Sequence, residues 1–319
     1  MASLRVKLLA VGLVIIVIAA AAFIVTSPNG QTTDKIKIGV LPVIDTLPLY
    51  AAQERGLFEQ AGLNVELVQF GSALERDSAM TAGSIDGYFG DMVNTILLKS
   101  SGQDVKVITI DYHSNPQARM FGLLASPDNN ISDINATVGM EVATSSGTVT
   151  EYVLDDILAE KNMTGKIGKF ELKAIPMRYQ SLVQNNVDLA ILPEPYATQA
   201  ILAGAHLVAD DRTINITATV IGMKAGFITD HIEDVKKLLT VYNSTVQSVN
   251  QDPTRYYDVL EKDIGFPKAL EGNFTFPVLS STSLPTLQEF QKVYDWIAGK
   301  VILQNAVVYD TIVARELYP

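Results

Sequence analysis

Cysteine is absent from the 319 residues. That excludes disulfides, cysteine-ligated zinc, thiol catalysis and a lipid-carrying export box. Histidine is scarce. His113, His206 and His231 are widely spaced and form no metal-ligand pattern, so no metal site is expected. Positive charge is short as well: 24 Lys and Arg stand against 35 Asp and Glu, a formal net charge of -11. Such a balance excludes nucleic acid as a partner, because phosphate binding needs a basic face. No G-x-x-x-x-G-K-[ST] and no G-x-S-x-G occurs. A phosphate-cradling loop and a nucleophile elbow are therefore missing, and any nucleotide-driven work belongs to another chain. Aromatics are 8% of the chain and Trp296 is its sole tryptophan, in a helical stretch where it reads as a packing residue. That is thin material for a cation–π cage, so quaternary ammonium solutes rank low.

What is present is a large apolar fraction, 48%, with 18% charged residues. That composition supports folded cores and a length of one large or two ordinary domains. Arg5 and Lys7 precede an unbroken apolar run from Leu8 to Val25. A basic segment before such a run is an export signal. At 18 residues it is long for a cleaved signal and near the minimum for a membrane span. Cleaved signal and retained anchor both stay open. Either places the body from Asp34 outside the cytoplasm, in the periplasm or on the cell surface. N-x-S/T sequons occur at Asn130, Asn135, Asn162, Asn215, Asn243 and Asn273. With 15 Asn and 42 Ser or Thr in 319 residues, chance predicts about two. The excess fits an exported glycoprotein.

Beyond a polar linker, Thr26 to Asp34, short apolar strands alternate with helical stretches. Strands are expected at 35–41, 63–70, 85–91 and 105–111, with helices at 47–62, 73–83 and 92–102 between them. The pattern restarts with strands at 119–126, 136–143, 170–175, 187–192, 206–210 and 218–223. From His231 onward the period is helical, broken at Pro253, Pro267, Pro277 and Pro285. The β–α alternation predicts an α/β fold with mostly parallel sheets in two blocks of similar size. Two such blocks suggest a ligand cleft between them, at the carboxyl ends of the strands.

The stretches KIGVLPVIDTLPLYAAQERGLFEQAGLNVELVQFGSALERDSAMTAGSIDGYFGD, ATSSGTVTEYVLDDIL and QSLVQNNVDLAILPEPYATQAI occur in an order and spacing of their own. In these the chain resembles periplasmic solute-binding proteins of the nitrate/sulfonate/taurine type, which belong to the ABC-importer class. That class also includes binders of thiamine-pyrimidine precursors. The resemblance covers Lys35 to Asp230 well and the tail loosely. It implies a bilobal Venus-flytrap fold: 1–33 as signal or anchor and linker, 34–117 with 222–319 as one lobe, 118–221 as the other. Crossover strands near Arg119 to Leu124 and Val220 to Phe227 would form the hinge.

By the same resemblance, loops after the strands line the cleft. Asp45 and Thr46 lie just before a helix, where either contacting the ligand or capping suits them. Gly71 and Ser72 form a turn and a possible cap. Gly90 and Asp91 mark a strand–helix junction, and a cleft-facing Asp91 would disfavour anions. The hydroxyl-rich run Thr144, Ser145, Ser146, Gly147 and Thr148 opens a helix. Capping needs one such residue; a cluster suits an oxyanion cradle, since a helix N-terminus carries about half a positive charge. Arg178 is a fork for an oxyanion or a surface residue, and Tyr179 stacks on a ligand or packs. Glu194 accepts from a ligand amine or caps the next helix. Arg119 is ligand-facing or part of a hinge ion pair.

These expectations add up to a binding protein rather than an enzyme, without cofactor, working as a monomer. It would capture a small anionic or zwitterionic solute, such as a sulfonate, taurine or nitrate, and deliver it to an ABC permease and its ATPase. A thiamine-pyrimidine precursor, held by Tyr179, Asp45, Asp91 and Glu194, is the alternative. A catalytic relative on the same fold and a surface sensor on the membrane segment are the remaining readings.

Overall fold

The computed structural model describes residues 34–272, 274–300 and 302–319. The expected signal or anchor run at 8–25 and the sequon at Asn273 lie outside them. Among the described residues no helix is long and apolar enough to cross a membrane.

The chain begins with β1 (Lys35–Val40), α1 (Leu47–Glu54), α2 (Leu57–Gln60), β2 (Asn64–Gln69), α3 (Ala73–Thr81), β3 (Gly87–Asp91), α4 (Met92–Ser100) and β4 (Val105–His113). A second block follows: β5 (Phe121–Ala125), β6 (Glu141–Thr144), α5 (Val149–Glu160), β7 (Gly168–Glu171), α6 (Ile175–Val183), β8 (Leu189–Pro193), α7 (Tyr196–Leu202) and β9 (His206–Asp210). After it come β10 (Thr217–Lys224), α8 (Ala225–Asp230), α9 (Ile232–Gln251) and α10 (Leu287–Gly299). The helix expected over 47–62 is two helices. Gly56, at φ +66°, takes a left-handed conformation that ordinary side chains avoid and turns the chain between them. Local chemistry marks three of the other helix starts. Ser72 Oγ accepts from Glu75 N (3.3 Å) and Asp91 from Asn94 N (2.8 Å), each filling an orphan N–H of the first turn. At α10, Thr286 and Glu289 form a reciprocal capping box.

Two five-stranded sheets result, ordered β2-β1-β3-β10-β4 and β7-β6-β8-β5-β9. The α/β bilobal fold is as expected, but the sheets are mixed. In each, two neighbours pair parallel and two antiparallel, because β10 and β5 enter their sheets against the others. β5 and β8 are buried at every position, as strands covered on both faces must be.

The chain crosses between sheets at 114–120 and 211–216. Ser114 ties the two crossings together: its Oγ donates to Ile214 O (2.6 Å) and accepts from Ile216 N (2.9 Å). Asp211 accepts from the backbone of Met120 (2.9 Å) and Phe121 (3.1 Å). The hinge expected near 119–124 and 220–227 is therefore displaced, because most of those residues are ladder members of β5 and β10. All of β10 pairs within the first sheet, ahead of the boundary expected at 221/222.

The lobes touch across the cleft. Ile44 N donates to Glu194 O (3.0 Å), Ile175 N to Gly71 O (3.3 Å) and Asn94 Nδ2 to Gly147 O (3.4 Å). A strap reinforces them from outside. Helix α10 packs on α4 of the first lobe and reaches α5 of the second. There Lys292 meets Asp156 (2.6 Å), Trp296 Nε1 donates to Asp155 (3.0 Å) and Lys300 meets Glu151 (2.6 Å). The Trp296 ring also packs edge-on against Tyr152. The sequons at Asn130, Asn135, Asn162 and Asn215 are exposed, and Asn243 is half-buried.

Candidate functional site

Loops at the strand ends line a narrow cleft between the lobes, with a free volume of about 40 Å³. The first lobe contributes Val43 and Asp45 after β1, Phe89 and Asp91 from β3, and Thr219 from β10. The second contributes Phe121, Ser145, Thr148, Ile175 and Arg178. The walls are thus largely apolar, with a few charged groups set among them. That is the usual composition of a small-molecule site.

Arg178 is the most unusual of these groups. It is 0% exposed. Arg178, expected in a loop after a strand, instead lies in the first turn of α6, where Pro176 fits because that turn's N–H groups are unpaired anyway. From there the guanidinium reaches inward. Nε donates to Ile191 O and Nη1 to Leu172 O, both at 2.8 Å. Nη2 is buried and has no partner, and Arg178 is in no salt bridge among the described residues. Burial lowers its pKa from 12.5 to about 10, with Glu171 pulling weakly the other way. A buried cation without a counter-charge is costly, and an anion beside Nη2 would relieve it.

The hydroxyl run at α5 is engaged differently from expectation. Ser146 N donates to Glu171 (3.2 Å) and Gly147 N to Glu151 (2.8 Å). The Val149 N–H also favours the charged form of Asp91, from the other lobe. The protein's own carboxylates thus satisfy the helix N-terminus, as its partial positive charge favours. Thr148 Oγ1 donates to Ser145 O (2.7 Å), and the buried Thr144 Oγ1 has no partner. Ser145 and Thr148 line the cleft; Ser146 and Gly147 line only a shallower groove at its mouth. The cradle expected over Thr144 to Thr148 is therefore largely filled from within.

Two carboxylates line the cleft. Asp91 caps α4, and burial raises its pKa to about 7 against the pull of nearby Arg76. Asp45 caps nothing: its Oδ2 lies 2.9 Å from Thr219 Oγ1, and burial raises its pKa to about 7 as well.

Other expected site residues have structural work. Thr46 Oγ1 donates to Val43 O (2.7 Å), with Leu41 O 3.2 Å away, which holds the turn. Gly71 and Ser72 shape and cap the start of α3. Gly90 is needed for packing, since a Cβ there would lie 2.7 Å from the Tyr88 ring. Tyr179 packs against Tyr196, ring centres 5.5 Å apart. Glu194 caps α7 through Thr198 N (3.0 Å) and pairs with Arg119, whose Nε lies 2.7 Å away. Arg119 is thus an ion-pair member beside the crossing. None of these lines the cleft. Reading the sequence missed Phe89, Phe121, Lys173 and Thr219, which do. An aromatic on a strand reads as core, and only its place at a strand end signals otherwise.

Comparison with known proteins agrees with this architecture. The family described as NMT1/THI5 like matches residues 44–256. An ABC transporter periplasmic binding protein from Brachyspira hyodysenteriae is 22% identical over 205 residues, 60% of this chain. The chain spans 58% of that relative's length. The alkanesulfonate-binding protein SsuA from Xanthomonas axonopodis pv. citri, solved with MOPS bound, superposes with a TM-score of 0.76 at 18% identity. That superposition covers 87% of this chain and 97% of SsuA. The desulfurization enzyme DSZB shares the fold more distantly, with a TM-score of 0.63 at 14% identity, over 89% of this chain and 97% of the enzyme.

Proposed function

Since the chain belongs to the NMT1/THI5-like family, we propose that it is the extracytoplasmic solute-binding component of an ABC importer. It captures a small organic anion by lobe closure and hands it to a permease driven by a separate ATPase. It acts by binding and release, without catalysis, as a monomer exported by its N-terminal segment. The exposed sequons suit such a location.

The observation that carries the ligand class is Arg178, a fully buried guanidinium with one nitrogen unpartnered at the cleft. A sulfonate or carboxylate oxygen completes it with a charge-assisted bond. Leu41, Val43, Phe89, Phe121 and Ile175 favour an apolar body attached to that anion, which ranks alkanesulfonates and taurine above nitrate. Ser145 and Thr148 are the nearby hydroxyls of the site, and Asp45 and Asp91 its carboxylates. A second reading, a thiamine-pyrimidine precursor, draws on Phe89 and Phe121 as walls from opposite lobes and on carboxyl groups that hold protons near neutral pH.

A thermal-shift screen against taurine, ethanesulfonate, nitrate, bicarbonate and hydroxymethyl-pyrimidine separates these. Binding to the folded state alone adds about 2.7 kcal/mol of apparent stability at a hundredfold excess over Kd. A shift with the sulfonates supports the organic-anion reading. A shift with the pyrimidine alone replaces it, and no shift at all removes its basis.

A further inference from the structure

Thr219 Oγ1 lies 2.9 Å from Asp45 Oδ2 and 2.9 Å from Asp111 Oδ2. A threonine hydroxyl has one proton to donate, and an ionised carboxylate has none. Both contacts are hydrogen bonds only if one of the two carboxyl groups is protonated and donates to Thr219. The far oxygen of Asp111 meets the Tyr242 hydroxyl of α9. Two proton arrangements satisfy every group, and in both Tyr242 O–H donates to Asp111 Oδ1. With the proton on Asp45, its O–H donates to Thr219 Oγ1 and the Thr219 O–H to Asp111 Oδ2; with the proton on Asp111, its O–H donates to Thr219 Oγ1 and the Thr219 O–H to Asp45 Oδ2.

The surroundings fix where the proton rests. Asp111 is 1% exposed, lies inside the first lobe on β4 and does not line the cleft, whereas Asp45 does. Charge is less costly at the cleft wall than in the core. The other titratable groups bearing on the pair are Asp211, Tyr112, Tyr242 and, beyond it, Tyr318. None of these carries positive charge, so nothing among them stabilises a second carboxylate. Desolvation raises both carboxyls above the ordinary range, and the charge of either one raises the other further. The other cleft carboxylate, Asp91, is already met by Asn94 N and by the charge of Arg76.

We propose that Asp111 holds the proton of this pair and Asp45 its negative charge, so that Asp45 is the specificity-determining residue for a protonated amine on the solute, from the lobe opposite Arg178. This rests on the organic-anion reading above and narrows it: the preferred solute bears an ammonium group as well as an anionic one.

Taurine and ethanesulfonate differ by that amine, and calorimetric titration of the full chain at pH 7.5 compares them. The wild type is expected to prefer taurine by about tenfold or more, the scale of a charge-assisted bond. That preference should shrink as pH falls through about 7, where Asp45 takes up its own proton. Asp45→Asn should bring the two affinities together while ethanesulfonate still binds. Asp111→Asn imitates the protonated carboxyl, accepting from Tyr242 and donating to Thr219, so it should keep the preference within about twofold. Equal wild-type affinities, or a preference erased by Asp111→Asn, would overturn the proposal. If neither sulfonate binds, the organic-anion reading fails and the amine selection with it. Carbon-13 NMR of the carboxyl carbons then still decides the proton's place: Asp111 protonated and Asp45 ionised at pH 7.5 supports it, the reverse refutes it.

Discussion

Replacing Arg178 by Gln separates binding from folding in a way few buried substitutions do. The wild-type guanidinium makes two backbone bonds, to Leu172 O and Ile191 O, and leaves Nη2 unmet. Glutamine can reach one of those carbonyls, so at least one buried acceptor loses its donor, at a cost of about 1–3 kcal/mol. Against that stands the penalty that burial imposes on the charge. A pKa drawn down from 12.5 to about 10 corresponds to about 3 kcal/mol at roughly 1.4 kcal/mol per pH unit. The two effects nearly cancel. The solute-free variant should therefore melt within a few degrees of the wild type, on either side. Binding has no such compensation. Losing a charge-assisted bond inside a water-poor cleft removes about 1.5–3 kcal/mol, or about 10- to 150-fold in Kd for an anionic solute. Paired thermal melts and calorimetric titrations read both quantities. A variant that melts far below the wild type while binding its solute with unchanged affinity would show that Arg178 is a structural brace, and would sink the ligand assignment.

Two further outcomes follow from charges elsewhere. Burial raises Asp45, Asp91 and Asp211 to about 7 from an ordinary value of 3.8, and Asp111 well above it. A raised carboxyl binds more protons folded than unfolded, so its contribution is full below 3.8 and is lost as pH rises through 7. Glu289, lowered to about 2 by His113 and by Thr217 and Thr286, has the opposite sign and matters only in acid. The melting temperature should thus be higher near pH 5 than near pH 8.5, by an amount reflecting on the order of a few kcal/mol; a flat or rising profile contradicts the burial argument. The strap is open to test through the sole tryptophan. Lys300→Ala removes a partly buried cation from Glu151 and Asp155 (2.6 and 3.1 Å). A loss of about 1 kcal/mol would favour lobe opening about fivefold. Trp296 fluorescence in Lys300→Ala should then respond to solute more strongly than in the wild type, and an identical response would show that α10 moves as part of the second lobe.

Legibility in the sequence follows the range over which each feature is determined. KIKIGV reveals β1 because its alternation and its apolar end lie within six residues. Asp91 and Ser72 are recognisable as caps because the donor is three residues on. The mixed character of the sheets is not legible. It depends on β10 inserting between β3 and β4 after the chain has traversed the other lobe, and no local pattern encodes that neighbour. The same distance hides Thr219, which means nothing until β10 brings it between Asp45 and Asp111. Arg178 is recognisable by residue type, yet Pro176 suggests a loop where the structure has a first helical turn. The hydroxyl run at α5 was a sound signal for a helix start, but Glu151 and Glu171, the residues that answer its N–H groups, are just as visible in the sequence. What the sequence leaves out is that their carboxylates fold back onto those N–H groups.

Closure and recognition then have a common electrostatic origin. Shutting the cleft around Arg178 without a counter-ion removes water from the guanidinium, which weighs against the closed form. The cross-lobe bonds at Ile44, Ile175 and Asn94 and the α10 strap act in the other direction, but they are the same with or without a solute. Only an anion removes the penalty, and it does so only when the lobes have come together around it. A ligand shifts a conformational equilibrium by its differential affinity for the two states, and no more. Relief of that penalty shifts the population toward closure to the extent that the anion binds the closed form better. A neutral solute of the same shape fills the apolar walls without that relief. On the proposed function, the buried cation would make closure report the charge of the solute that has been bound.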